Sequence, residues 1–564
     1  MHTGHTGRNR RTVEAAGPTL EAHVGVPVRG HMHEFFEVSW KLAMSVVVAT
    51  SVACAPQRTI DGTNNNESDM DMGSTGVALL RLVEADYADG LSTLAGENRE
   101  SARFISNEVC RQDEPIPNRR AATDMVWQWG QFLDHDIDLT DVADPPEAAD
   151  ILIPFGDEFF DPFETGTQTM AFRRSAFLAG SMPRQQINQT TAWIDGSNVY
   201  GSDSIRANAL RAHDSTGRLA TSEGNLLPFN TNGLPNAGGT GDDLFLAGDV
   251  RANEQVYLTA MHTLWMREHN RWADRIRAYA PEATGDEIYE AARIVIIAEL
   301  QIITFEEFLP ALLGPDAIPD YEGYDDSVDS GISNEFSGAA YRFGHSMLSS
   351  KLLRIDRDGN ESVYGHLPLR DAFFAPYRLT EEGGIDPLLR GLARQPAENV
   401  DPYIVDDVRN FLFGPPGSGG FDLAALNIQR GRDHGLASYN DTREAMGFPR
   451  ATSYSDISQD PAIQSRLGTA YANVDDIDLW VGGLAEDHVS GALVGPLVRS
   501  ILVDQFAALR DGDRFWYATS LPPSLANSLR ETVRLSRIIR ANTDIGREIR
   551  NDVFHSKTRG RPRR

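Results

Sequence analysis

The sequence predicts a mainly α-helical protein with little β-structure, built as one large domain. Three observations predict it. Apolar residues recur at three- and four-residue spacing from Glu254 to Ala280 and from Ala291 to Leu313, with charged residues between them, as a helix with one buried stripe requires. Period-two alternation, the mark of half-buried strands, is scarce. From Val77 to Phe554 there is no second polar linker and no internal repeat, so much of the 564-residue chain, 41% hydrophobic overall, can close around a single core.

Charge narrows the function classes. Lys and Arg number 52 against 81 Asp and Glu, a formal net charge of −29, which excludes a surface built for nucleic acid or an anionic membrane. Only two cysteines occur, Cys54 and Cys110, so no disulfide framework is legible.

Taken in order, residues 1–54 read as an N-terminal extension carrying an export signal. The apolar run from Leu42 to Ala53 follows Lys41 and ends in small residues before Cys54, too short to span a bilayer but suited to a signal-peptide core. Its SVAC ending resembles an imperfect bacterial lipobox, and Met32 is an alternative start. Cys54 is then either an acylation site, a possible lipid anchor, or a residue beside the cleavage point. Residues 55–76, which include the polar run Gln57 to Thr75, read as a disordered linker. The last ten residues, 555–564, form a basic, solvated tail.

Within residues 77–554 the first segment with chemistry is WGQFLDHDIDLT, Trp129 to Thr140. Here Asp134, His135 and Asp136 sit among aromatic and aliphatic residues, where carboxylates cost free energy unless something pairs with them. In a helix Gln131 and His135 share a face at four-residue spacing with Asp134 beside them, while Asp136 lies about 100° further round and serves another place. A histidine with an amide neighbour suits proton transfer in a pocket.

Next comes TAWIDGS. Thr191, the carbonyl of Trp193, Asp195 and Ser197 put oxygen donors on alternate residues, a pattern that can wrap a hard cation with Asp136 supplying a further carboxylate. In AGDVRANEQ, Arg251 and Glu254 lie three residues apart, a spacing that a surface ion pair would also explain. YRFGHSM places His345 after a glycine, and LNIQRGRDHG is a polar run between apolar flanks. His262, His269 and His434 read as structural histidines, and Cys110 as a small buried hydrophobe.

Together with LPFN, FLAGD, LTAMHTLWMREHNR, EGGIDP, VGGL, VGPL and DGDRFW, all collinear, these segments resemble the animal-type haem peroxidases of the peroxidase–cyclooxygenase superfamily across residues 77–554. The resemblance implies a helical haem-peroxidase domain holding haem b and calcium. It implies that His135 is the distal histidine, with Gln131 its hydrogen-bonding neighbour, and Arg251 the distal arginine. His345 becomes the axial iron ligand, and Asn427 accepts the other ring N–H of His345. Arg342 and Arg430 pair with haem propionates. Asp134 and Glu254 form esters with haem methyl groups, which makes the buried acids neutral. Asp136, Thr191, Trp193, Asp195 and Ser197 form the calcium site.

Position 255 is glutamine, where members with a third, sulfonium link have methionine, so the two-ester pattern is expected, with bromide, iodide or thiocyanate preferred over chloride. The implied reaction reduces hydrogen peroxide and oxidises a halide, thiocyanate or a small organic donor. Two other readings remain: a fatty-acid dioxygenase of the same superfamily, and a non-enzymatic exported matrix or adhesion protein.

Overall fold

The computed structural model describes residues 57–556; the export signal, Cys54 and the tail from Lys557 lie outside the described residues. The helices that position the site are α1 (Ala102–Val109), α2 (Met125–Ile137), α3 (Val256–Tyr279), α4 (Gly285–Ile303), α5 (Leu423–Asp433) and α6 (Pro496–Asp511). The only paired strands among the described residues are two short antiparallel pairs. Strand β1 (Ile151–Leu152) pairs with β2 (Thr169–Met170), and β3 (Lys351–Leu352) with β4 (Leu367–Pro368). The helix-dominated reading holds.

The two long periodic stretches form α3 and α4, packed on each other. Gln255 caps α3 by accepting from the amide of Tyr257 at 2.7 Å. A capping box between Thr284 and Glu287 starts α4, each side chain satisfying the other's backbone N–H. The stretch read as running to Leu313 changes pitch: Thr304–Phe308 is a π-turn before Leu309–Leu313. Pro310 is the cause, since it has no N–H to donate one turn back.

Helix α2 is buried nearly all round, as its apolar composition requires. Trp129 and Phe132 pack on Trp265 of α3, with ring centroids 5.9 and 6.2 Å away. A further neighbour is the 3₁₀ turn Ala340–His345. Helix α5 is anchored by α1 through Arg103. That buried guanidinium reaches Asp157 and Asp422 at 2.7 Å each and Asn410 at 2.9 Å, so its charge and donors are satisfied. α2, α5 and the 3₁₀ turn thereby become rigid walls of one space.

One expectation is corrected. The stretch from Gln57 to Thr75 is not a free linker but packs on the domain. Arg58 pairs with fully buried Asp513 at 2.7 Å, and Asn65 donates to the same carboxylate at 3.0 Å. Gly73, at φ +68°, lies so close to the Trp193 indole that a Cβ would sit 2.7 Å from its carbons. Polar composition misleads here because these polar groups are buried with partners. The domain therefore starts at least twenty residues before Val77.

Candidate active site

A cavity of about 440 Å³ opens between α2, the segment before α3, the 3₁₀ turn and α5. It brings together Gln131, Asp134 and His135 of α2, Arg251 and Glu254, Arg342 and His345 of the turn, and Asn427 and Arg430 of α5. Residues separated by nearly three hundred positions thus face one space. Asp136 points out of it, as the helical repeat requires.

His135 is 2% exposed. Burial, followed by the Arg251 charge, holds its imidazole well below the ordinary range, so it is neutral at neutral pH. Its Nδ1 lies 3.3 Å from Oδ1 of Asp249, an electrostatic pairing without the alignment of a hydrogen bond. Asp249 also clamps Arg251, which donates from Nε at 3.0 Å, from Nη2 at 2.9 Å and from its backbone N–H at 2.7 Å. Burial opposes ionisation of Asp249, but the Arg251 guanidinium outweighs it and holds the carboxyl far below the usual range. Sequence reading passed over this residue. The signal was present: an acid two positions before the arginine, inside the FLAGD segment.

Arg251 donates to Asp134 at 3.3 Å and to the backbone carbonyl of Asp138 at 2.8 Å. The expected alternative, an Arg251–Glu254 ion pair on a helix, does not form; residues 251–254 make a turn whose Glu254 N–H donates to the Arg251 carbonyl at 2.8 Å. Burial, reinforced by Asp138 and opposed by Arg251, raises Asp134 to about 7. Burial likewise raises Glu254 to about 7 against the pull of Arg251. Both acids are therefore readily protonated in the cavity.

Two expected contacts differ. Gln131 does not bond His135. Its amide nitrogen donates to Glu254 at 3.3 Å and its carbonyl accepts from Gln255 at 3.0 Å, because the Gln255 amide, fixed as the α3 cap, claims it. On the opposite wall, Asn427 does not accept from His345. Its Nδ2 sits 2.8 Å from His345 Nδ1, while its Oδ1 accepts from Arg342 at 2.9 Å. The guanidinium takes the carbonyl oxygen and so turns the amide nitrogen toward the imidazole. Burial, then Arg342, pushes His345 down to about 3, which keeps it neutral. Arg430 rests 4.3 Å over the Phe172 ring and donates to Ser175 and Asp433 at 2.7 and 3.1 Å.

Behind α2, Asp136 meets the segment Thr191–Ser197. Its carboxylate accepts only long bonds, from Gly196 N–H at 3.3 Å and Asn198 N–H at 3.4 Å. Ser197 Oγ donates to the Asp136 carbonyl at 2.6 Å, and Thr191 to Asp195 at 3.0 Å. Asp195 Oδ2 is buried without a partner. Burial and the neighbouring Asp195 raise Asp136 to about 8, and burial raises Asp195 too. Two buried acids facing one another, one with an orphaned oxygen, fit a cation between them. Among the described residues no cluster of three His, Cys, Asp or Glu could hold a metal, and the further oxygens beside this pair are the hydroxyls and carbonyls of the segment.

The discounted histidines behave structurally. His269 bridges the Tyr200 hydroxyl and the Gly217 carbonyl at 2.8 and 3.0 Å, and His434 joins Ser175 and Asn334 at 2.7 and 2.8 Å. His262 meets the Asn198 carbonyl at 3.1 Å and Phe132 edge-on. Cys110 is fully buried.

The family model for animal haem peroxidase matches residues 57–554. Peroxinectin A of Dictyostelium discoideum is 36% identical over 88% of this chain and 95% of its own. A peroxidasin homolog of Mus musculus is 37% identical over 88% of this chain, which spans only 37% of that relative's length. The structure of peroxidase A from Dictyostelium discoideum superposes with a TM-score of 0.83 at 36% identity, covering 89% of this chain and all of that one. A fatty acid alpha-dioxygenase of Arabidopsis thaliana superposes with a TM-score of 0.76 over 89% of this chain and 84% of that one, but at 20% identity, a likeness of fold alone.

Proposed function

The chain belongs to the animal haem peroxidase family, the haem-dependent peroxidase class of oxidoreductases, and from that premise we propose that its cavity reduces hydrogen peroxide between His135 and His345 and oxidises small donors. The observation that carries this reading is a neutral histidine and a clamped arginine that share one buried carboxylate, Asp249, across a cavity from a second neutral histidine.

The cavity fits the cofactor. Its walls combine aliphatic and aromatic side chains such as Leu369, Phe373 and Leu412 with polar ones, His345 is neutral, and Arg342 and Arg430 would supply two cationic groups for propionates. When bound there, haem supplies the iron on which peroxide is reduced and the oxidising equivalents that donors consume. His345 would hold its iron. Asn427, whose amide nitrogen lies 2.8 Å from Nδ1 of His345, would help fix the orientation of that ring.

His135 would take a proton from one peroxide oxygen and return it to the other, so that water leaves rather than hydroxide. Asp249, 3.3 Å from Nδ1, would favour a proton there, leaving Nε2 as the nitrogen that moves the peroxide proton. Arg251, held by three bonds to Asp249, stabilises the charge that develops as the O–O bond breaks.

Asp134 and Glu254 would bond haem as esters, each carboxyl oxygen replacing one C–H hydrogen of a methyl group in a two-electron oxidation for which hydrogen peroxide is the oxidant and water the product. An acid raised to about 7 by burial loses its desolvation cost on becoming a neutral ester. Gln131 shields Glu254 and borders the peroxide site. Asp136 and Asp195, with Thr191, Ser197 and the Trp193 carbonyl, hold calcium, which ties α2 to the segment Thr191–Ser197. Bromide, iodide, thiocyanate or small organic molecules serve as donors, and the run from Leu42 to Cys54 directs export.

Absorption spectroscopy of purified protein tests the reading. Haem-loaded wild type shows a Soret band, and His345→Ala shifts or loses it. An unchanged Soret band in that variant would remove His345 from the iron.

A further inference from the structure

Tyr341 lies in the cavity wall, and from its ring a line of aromatic rings runs to the protein surface. Its centroid is 5.6 Å from that of Phe506 in α6, which is 6.4 Å from Phe305. Phe305 is 4.9 Å from Trp516, and Trp516 is 6.1 Å from Tyr321. Phe336, stacked 4.5 Å from Tyr341 and 5.7 Å from Phe506, doubles the first step. Every step is in or near ring contact, so an electron crosses packed π systems rather than empty space or water.

The far end differs chemically from the middle. Phenylalanine rings resist oxidation, whereas the Trp516 indole and the Tyr321 phenol are the side chains that give up an electron most readily. Trp516 is buried, and Tyr321 is partly exposed. Arg510 braces this end, 5.3 Å from the Tyr321 ring, with its charge offset by Asp511 at 2.7 Å. Around Tyr321 the loop exposes Asp316, Asp320, Glu322, Asp325, Asp326 and Asp329.

We propose that Tyr321 is a second, surface oxidation site, wired to the cavity through Trp516, Phe305, Phe506 and Tyr341, for bulky cationic phenolic donors that cannot enter the cavity. This rests on the haem reading of the cavity. In each turn Tyr321 loses one electron along the ring line and its phenolic proton to water, and becomes a neutral tyrosyl radical. A donor phenol then gives one electron and one proton to Tyr321, which restores it and leaves a donor phenoxyl radical. Two such turns supply the two electrons, and with two protons they reduce one hydrogen peroxide to two waters. The acidic loop selects cationic donors.

The test uses haem-loaded protein, hydrogen peroxide and a nitroso spin trap, with adducts located by peptide mass spectrometry. Phenol-grafted polylysine serves as the bulky donor and iodide as the small one. Wild type carries the trap on the Tyr321 peptide. Tyr321→Phe loses that adduct and Trp516→Phe diminishes it; both lose oxidation of the grafted polylysine while keeping the Soret band and iodide oxidation. An adduct absent from Tyr321 in wild type that still oxidises iodide overturns the surface site alone, as does undiminished polymer oxidation in both variants. Failure of wild type to oxidise iodide or any small donor overturns the cavity reading, and the surface site with it.

Discussion

The carboxylate of Asp249 lies 3.3 Å from Nδ1 of His135 while holding Arg251 by three bonds, so one buried acid adjoins both side chains at the cavity wall. Asp249→Asn keeps the size of the side chain but removes the charge that pairs with both. Partners of this kind cost roughly 10–100-fold when changed, and that is the expected loss in the second-order rate with peroxide, read by stopped-flow absorbance on haem-loaded protein. A rate equal to wild type would show that neither group depends on Asp249.

Asp134 and Glu254 should each anchor haem covalently after peroxide treatment. Acid-denatured wild type then keeps haem on the polypeptide by mass spectrometry, and Asp134→Ala combined with Glu254→Ala releases all of it. Haem fully extractable from wild type even after peroxide would count against the esters and reopen the fatty-acid dioxygenase reading, with fatty acids as the substrates to test.

The acids behind α2 give a pH dependence with a definite sign. Asp136 rises from 3.8 to about 8, and Asp195 also rises, so the folded state binds protons more tightly than the unfolded chain. Their contribution is complete below the unfolded value of about 4 and is lost as pH climbs through the folded value. Metal-free protein should therefore melt at progressively lower temperature between about pH 5 and pH 8. Calcium, by neutralising the pair, should restore more stability at the upper end than at the lower. Melting curves with chelator and with calcium that run parallel across that range would argue against a cation at this place.

Arg58 tests the corrected domain boundary. Arg58→Ala leaves the buried Asp513 with amide donors but without its cation, and breaking such a pair costs roughly 3–5 kcal/mol. Chemical denaturation should show that loss, whereas a true linker residue would show almost none.

Much of this architecture was legible locally. The helical repeat of WGQFLDHD was enough to send His135 and Asp136 to opposite sides of α2, and the spacing in Glu254 to Ala280 located α3 to within two residues. What stayed hidden depends on partners far apart in sequence. Asn65 looks like a linker residue until Asp513, 448 positions away, is placed beside it. The turn of the Asn427 amide is set by Arg342, 85 positions earlier, and nothing in either segment reveals which of the two amide atoms faces His345. Periodicity puts Gln131 on one face with His135 and the resemblance implies a bond between them, but the α3 cap Gln255 competes for the amide from another element. Asp249 carries a local signal, its place two residues before Arg251, but its second partner, His135 of α2, lies 114 positions earlier in the chain.

The most direct test of the central claim is the second-order rate constant of haem-loaded His135→Ala with hydrogen peroxide, measured beside wild type at neutral pH. If neutral His135 moves the proton between the two peroxide oxygens, the variant keeps its Soret band and its rate falls by at least about 100-fold. A haem-loaded variant that still reacts at the wild-type rate would contradict the assignment of His135 as the acid–base group.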